Sequence, residues 1–215
     1  QEYLTQLGFT NSNIEDLAIA EDGSLYVIGS LFEEGESSTN RVMPDFEDDI
    51  FIGKFNSDGE EEWIKIFDTN SDDEPKALVI DQNSSIYITG QTDGNLDEQN
   101  NSGENDAFII KFNSEGDKDW TRLIGSNSEE KAYDITTGED DSIFIIGQTD
   151  SGDDNSQDTD IFISEFTPDG EGKWLNYLDS NYRDSGLAIK TGENNSIYIS
   201  GYTNRPYDES VTSQS

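Results

Sequence analysis

The sequence predicts an all-β fold made of repeated four-stranded antiparallel sheets, and three observations carry that prediction. Asp49, Asp106 and Asp160 each precede a tryptophan (Trp63, Trp120, Trp174) by 14 positions, and each tryptophan precedes a glycine (Gly90, Gly147, Gly201) by 27. Fixed spacing of this kind marks an internal repeat. Each unit also contains four short runs rich in β-branched and aromatic residues, separated by Asp, Asn, Ser and Gly, with no helical period. Finally, the run IFIIG (Ile143–Gly147) and its counterparts LYVIG, IYITG and IYISG place apolar residues at consecutive positions, so both faces of that strand must be covered.

The unit Asp106–Gly147 shows the elements in order. Asp106–Phe112 (DAFIIKF) reads as a strand, and Asn113-Ser114-Glu115-Gly116 as a hairpin turn with Gly placed for positive φ. Asp119–Ile124 (DWTRLI) is its partner strand. After a polar loop, Ala132–Thr136 reads as a shorter, less apolar strand, Gly138–Ser142 as a turn, and Ile143–Gly147 as the most apolar strand. The same pieces recur at Ile50–Phe55, Trp63–Phe67, Ala77–Ile80 and Ile86–Gly90, and again at Ile161–Phe166, Trp174–Leu178, Leu187–Lys190 and Ile197–Gly201. Near the N-terminus, Tyr3–Leu7, Leu17–Ala20 and Leu25–Gly29 supply three quarters of a unit. Residues 1–215 are therefore expected to form one repeat domain: a partial blade at 1–29, repeats at about 49–90, 106–147 and 160–201, and a polar tail at 204–215. The glycine-to-Asp connection alone varies in length, and it is the most polar stretch of each copy, which predicts surface loops.

Sheets covered on both faces and built from tight hairpins fit blades stacked face to face, so a β-propeller of four-stranded blades is expected. About four blades' worth of sequence is present, enough for a closed four-bladed ring or for a section of a larger one. The pattern D-x-F-I-x-x-F-(N/T)-x-x-G-x-x-x-W, as in Asp160–Trp174, followed by S-(I/L)-(Y/F)-(I/V)-x-G-x-T, as within Asn195–Thr203, resembles the β-propeller repeat family abbreviated SBBP. The resemblance covers nearly the whole chain. The first copy departs from it, with Ser30 and Leu31 in place of the G-x-T continuation and Tyr3 in place of the tryptophan. It implies the propeller fold and an exported or cell-surface setting, but no shared reaction. By analogy with other propellers, the short strand is innermost in each blade and the Trp strand outermost.

Forty-eight acidic against 12 basic residues give a net charge of -36, which excludes nucleic acid and anionic membranes as partners, since phosphate neutralisation needs clustered Lys and Arg. With no Cys and no His, there is no disulfide framework, no thiolate chemistry and no common zinc ligand. No apolar run reaches the length of a membrane span, and Gln1–Thr10 lacks a basic-then-apolar leader pattern, so the signal of an exported protein would lie outside this chain.

The tryptophans fit blade packing, with sugar stacking as the alternative. The recurrent Asp49, Asp106 and Asp160 fit strand caps or ligands. The acidic loops 91–106 and 148–160 carry five acidic residues each and no Lys or Arg. They read either as a solvated acidic surface or as a Ca²⁺ site, with Asp93, Asp97, Asp150 and Asp154 as the candidate ligands. No G-x-S-x-G, phosphate loop or marked carboxylate pair points to an enzyme. The expected function is a non-catalytic, extracellular or surface-displayed module for binding protein or a cell-surface polymer. A glycan-binding lectin using Tyr202 and Tyr207 is the alternative, and a carboxylate-based glycoside-acting enzyme comes behind both.

Overall fold

The computed structural model describes residues 11–31, 48–67, 69, 71–150, 158–180 and 182–204. It contains three four-stranded antiparallel sheets and one hairpin, each sheet a meander in sequence order. The first sheet is β1 (Ser12–Ile19), β2 (Leu25–Leu31), β3 (Asp49–Phe55) and β4 (Glu61–Phe67). β5 (Asp73–Ile80), β6 (Ile86–Thr92), β7 (Asp106–Phe112) and β8 (Lys118–Ile124) form the second. β9 (Glu130–Thr137), β10 (Ile143–Asp150), β11 (Thr159–Phe166) and β12 (Gly172–Leu178) form the third, and β13 (Asp184–Thr191) pairs with β14 (Ile197–Thr203). The sheet boundaries thus fall inside the sequence repeat: each four-stranded sheet closes on a Trp strand, and the strand after it opens the next sheet. The expected Tyr3–Leu7 strand and the tail beyond residue 204 lie outside the described residues.

The four opening strands, β1, β5, β9 and β13, pack successively on one another, so the sheets are stacked like blades with these strands innermost. Apolar layers fill the gaps. Tyr26, Ile28, Ile50 and Ile52 of the first blade meet Leu78, Ile88, Phe108 and Phe112 of the second. Tyr87, Ala107 and Ile109 meet Ile135, Ile145 and Phe162 in the next gap, and Phe144 and Ile146 meet Ile189 in the last. This is why IFIIG-type strands are apolar without alternation: one set of side chains faces the preceding blade and the other faces the following one.

The inner strands are longer than the sequence indicates, at eight residues each. Each contains a bulge, at Ile14/Asp16, Pro75/Ala77, Ala132/Asp134 and Gly186/Ala188, that breaks the alternation a strand would otherwise show. Two of the residues just after the bulge bond the neighbouring blade: Asp16 accepts the Leu78 N–H at 2.9 Å and Asp134 accepts the Ile189 N–H at 2.8 Å.

The tryptophans tie blade to blade. Within its own sheet each stands 6.1–6.2 Å from an aromatic ring of the second strand, Tyr26, Tyr87 or Phe144. Trp63 and Trp120 also lie against the hairpin turns of the following blades, where a Cβ at Gly116 or Gly170 would come within 2.6 or 3.0 Å of the indole. The left-handed φ of those glycines, 73° and 78°, is what the four-residue turn needs, and the lack of a side chain leaves the room the indole takes. Trp120 Nε1 further donates to the Pro168 carbonyl at 3.2 Å. Trp120→Ala is expected to cost about 3 kcal/mol in urea unfolding, the low end for a large aromatic that is mostly buried. Trp174→Ala, with no such turn against it among the described residues, should cost less than half as much.

Candidate functional site

At each gap between blades, an acidic pair sits where the third strand of one blade meets the opening strand of the next. The backbone sets the pair: Asp73 N–H donates to the Asp48 carbonyl at 3.0 Å and Glu130 N–H to the Asn105 carbonyl at 2.8 Å. At the third gap the Thr159 hydroxyl donates to the Asp184 carbonyl at 2.8 Å. Asp49 therefore lies beside Asp73, Asp106 beside Glu130, and Asp160 beside Asp184. A hydroxyl four residues before the second acid completes the pattern, Thr69, Ser126 and Ser180. Each donates to that acid, with Ser126 to Glu130 at 2.6 Å. The threonine of the G-x-T stretch joins from the neighbouring strand, as Thr149 to Glu130 at 2.7 Å.

These carboxyls are deeply buried: Asp73 is 0 % exposed, Asp106 1 % and Asp184 4 %. In each, Oδ1 is buried and lacks a hydrogen-bond partner. Burial pushes the Asp73 carboxyl up to about 6 against the hydroxyls of Thr69 and Thr92, with the charges of Asp93 and Asp72 adding to the rise. Asp106 is raised for the same first reason, with Glu130 contributing. Burial and then the charges of Asp179, Asp158 and Asp184 push Asp160 up to about 6. In the first blade the equivalent positions hold Ser12 and Leu31, paired across β1 and β2, so its inner edge is free of this acid.

The candidate ligands Asp93, Asp97, Asp150 and Asp154 are distributed over separate surroundings. Asp93 accepts the Asp72 N–H at 3.0 Å beside the second blade. Asp97 binds Lys118 and Thr121, which hold its carboxyl below the ordinary range although desolvation opposes them. Asp150 ends β10 in the third blade, and Asp154 lies outside the described residues. Among the described residues no three acidic side chains form a closed ligand set. Sequence reasoning found Asp49, Asp106 and Asp160 through their spacing but missed Asp73, Glu130 and Asp184, whose signal is the (S/T)-x-x-x-(D/E) step after each Trp strand.

The end of the stack presents a second feature. On the outer strand of the third blade, β12, and on the hairpin beyond it, β13 and β14, large apolar side chains are exposed, among them Leu175, Tyr177, Leu187 at 48 % and Tyr198 at 66 %. Between them runs a cleft of about 380 Å³ lined by Ile161, Leu178, Ile199 and Tyr202 together with Asp179 and Asp184.

Residues 62–97 match the family model SBBP, a beta-propeller repeat, so the chain carries that repeat from Glu62 to Asp97. Two curated proteins are similar over most of the chain. Regulatory protein FlaEY of Caulobacter vibrioides is 23% identical over 180 residues, 76% of this chain and 19% of its own length. The uncharacterized WD repeat-containing protein L264 of Acanthamoeba polyphaga mimivirus is 20% identical over 195 residues, 73% of this chain and 14% of its own. The chain thus spans less than a fifth of the length of either relative.

Proposed function

We propose that this chain acts as a non-catalytic β-propeller module for protein interaction or assembly, displayed outside the cell or on its surface. The observation that carries the reading is the apolar end face on β12, β13 and β14, since soluble proteins seldom leave such a patch uncovered except where something binds. The beta-propeller repeat and the relatives, one named regulatory and the other a WD-repeat protein, support interaction as the role. The acidic surface, at a net charge of -36, favours a neutral or cationic protein or polymer as partner and suits an ion-rich exterior.

A photocrosslinking residue placed at Tyr198, in the protein expressed in its own cells, tests the reading. A discrete adduct with one protein, lost when Leu187 is changed to Lys, is the expected result. Crosslinking that is absent or equally diffuse with and without Leu187→Lys would overturn it. The lectin alternative rests on Tyr202, 47 % exposed, and on Tyr207, outside the described residues. Selective glycan binding that disappears on mutation of both tyrosines would establish that alternative instead. Turnover of a defined glycoside abolished by one carboxylate change would do the same for the enzyme reading.

A further inference from the structure

We propose that the acidic junction between the third blade and the β13–β14 hairpin, formed by Asp160, Asp179 and Asp184, binds a divalent cation of the Ca²⁺ type. The first observation is a buried acceptor with nothing to accept from. Asp184 is 4 % exposed, and its Oδ1 has no partner, while its Oδ2 takes the Ser180 hydroxyl. Asp160 Oδ1, in the same junction, is likewise buried and unpartnered. A buried carboxylate oxygen in this state costs free energy unless a proton or a cation fills the gap.

The second observation comes from comparison with the preceding junction, which has the same frame and serves as an internal control. There Gly125 stands before Ser126, and a Cβ built on it would lie 2.1 Å from the Asp106 carboxyl carbon. In the third junction the residue before Ser180 is Asp179. A second carboxylate is therefore set directly beside Asp160, where the other junction has only hydrogen. Glu130, the counterpart of Asp184, takes three donors from Ser126 and Thr149, and although Asp106 Oδ1 is unpartnered there as well, that junction has no third carboxylate, so Asp179 is what sets the third junction apart.

Charge and access agree with this placement. The groups acting on Asp160 are Asp179, Asp158 and Asp184, with no basic side chain among them, and together with burial they push its carboxyl up to about 6. Asp179, Ser180 and Asp184 also line the cleft of about 380 Å³, which gives an ion and its waters a path. Hard divalent cations take six to eight oxygens, a number that carboxylates, the Ser180 hydroxyl, backbone carbonyls and water from the cleft supply together. Since no three acids form a closed set among the described residues, binding draws the Asp160 and Asp179 carboxylates inward. The inference is independent of the interaction reading, because it concerns a junction beneath the apolar face and is read without any partner.

The test is calorimetric titration of CaCl₂ into chelator-treated protein at pH 7.5, against NaCl at equal ionic strength. One saturable site, of about 10⁻⁴ to 10⁻³ M as in extracellular Ca²⁺ modules, is expected. Asp179→Gly, which copies Gly125, and Asp160→Asn should each weaken it about tenfold or more, while Asp106→Asn in the control junction leaves it unchanged. Circular dichroism checks that each variant is folded; if Asp160→Asn is not, Asp179→Gly decides alone. Titration of the wild type at pH 5 should show weaker binding, because protons compete for the same oxygens. Heats equal to those of NaCl, or an affinity unmoved by Asp179→Gly, would overturn the proposal and leave a shared proton as the resident of the junction.

Discussion

Gly90→Ala is expected to destabilise the protein by about 3 kcal/mol or more, enough to unfold most of a domain of ordinary marginal stability. A Cβ at Gly90 would lie 2.1 Å from the Glu74 carbonyl oxygen and 2.8 Å from Pro75 Cα. Both obstacles are backbone, so no side chain can swing aside to make room. Gly90 pairs with Pro75 immediately before the register shift of the inner strand, and that bulge brings the carbonyl over the glycine. The contact repeats in every copy: Gly29, Gly147 and Gly201 would meet the carbonyls of Asn13, Lys131 and Ser185 at 1.9–2.1 Å. Gly172→Ala is the control, since its nearest neighbour would be Phe166 at an ordinary 3.7 Å, and it should stay within about 0.5 kcal/mol of the wild type. Equal urea midpoints for Gly90→Ala and Gly172→Ala would refute the explanation.

That glycine illustrates how the sequence was legible. Its recurrence, 27 residues after each tryptophan, is plain in the chain, and so is the two-faced apolar strand it ends. The reason for it is not, because the clash depends on a bulge in another strand that carries no fixed residue type. The inner strands were read as short for a related reason. Their first halves begin with Asp73, Glu130 and Asp184, which look like loop acids until the structure shows them buried and bonded to Thr69, Ser126 and Ser180. In a chain with 48 acidic residues, three buried ones have no compositional signature. Spacing within a loop was a poor guide in the opposite sense: Asp93 and Asp97 are close in sequence, yet one accepts a backbone N–H and the other is held by Lys118. Tryptophan, by contrast, was legible in both place and purpose, because its size allows few roles beside a turn.

The buried acids lead to the second large effect, a stability that falls as pH rises from about 4 to 6. Asp73 has its carboxyl pushed up to about 6 by burial, against an ordinary 3.8 in the unfolded chain. Between those values the folded protein holds a proton that the unfolded chain has released, so raising the pH through this window favours unfolding. A difference of about two units corresponds to about 3 kcal/mol for this fully buried group. Asp106 and Asp160 shift in the same direction, with Asp160 contributing less because it is less deeply buried than Asp73 and partly screened by water. Below about pH 4 the trend reverses, since Asp97 and Glu165, held low by Lys118 and Lys173 in spite of their desolvation, lose those contacts on protonation. The urea midpoint in chelator should therefore peak near pH 4, decline through pH 6 and level off towards pH 7.5. Asp73→Asn removes the titrating group while leaving an oxygen for the Thr69 hydroxyl, so its profile should be flatter and its deficit at pH 5 should shrink or reverse at pH 7.5. A wild-type midpoint that rises from pH 5 to 7.5, or an Asp73→Asn profile parallel to it, would show that the buried acid is not what sets the slope.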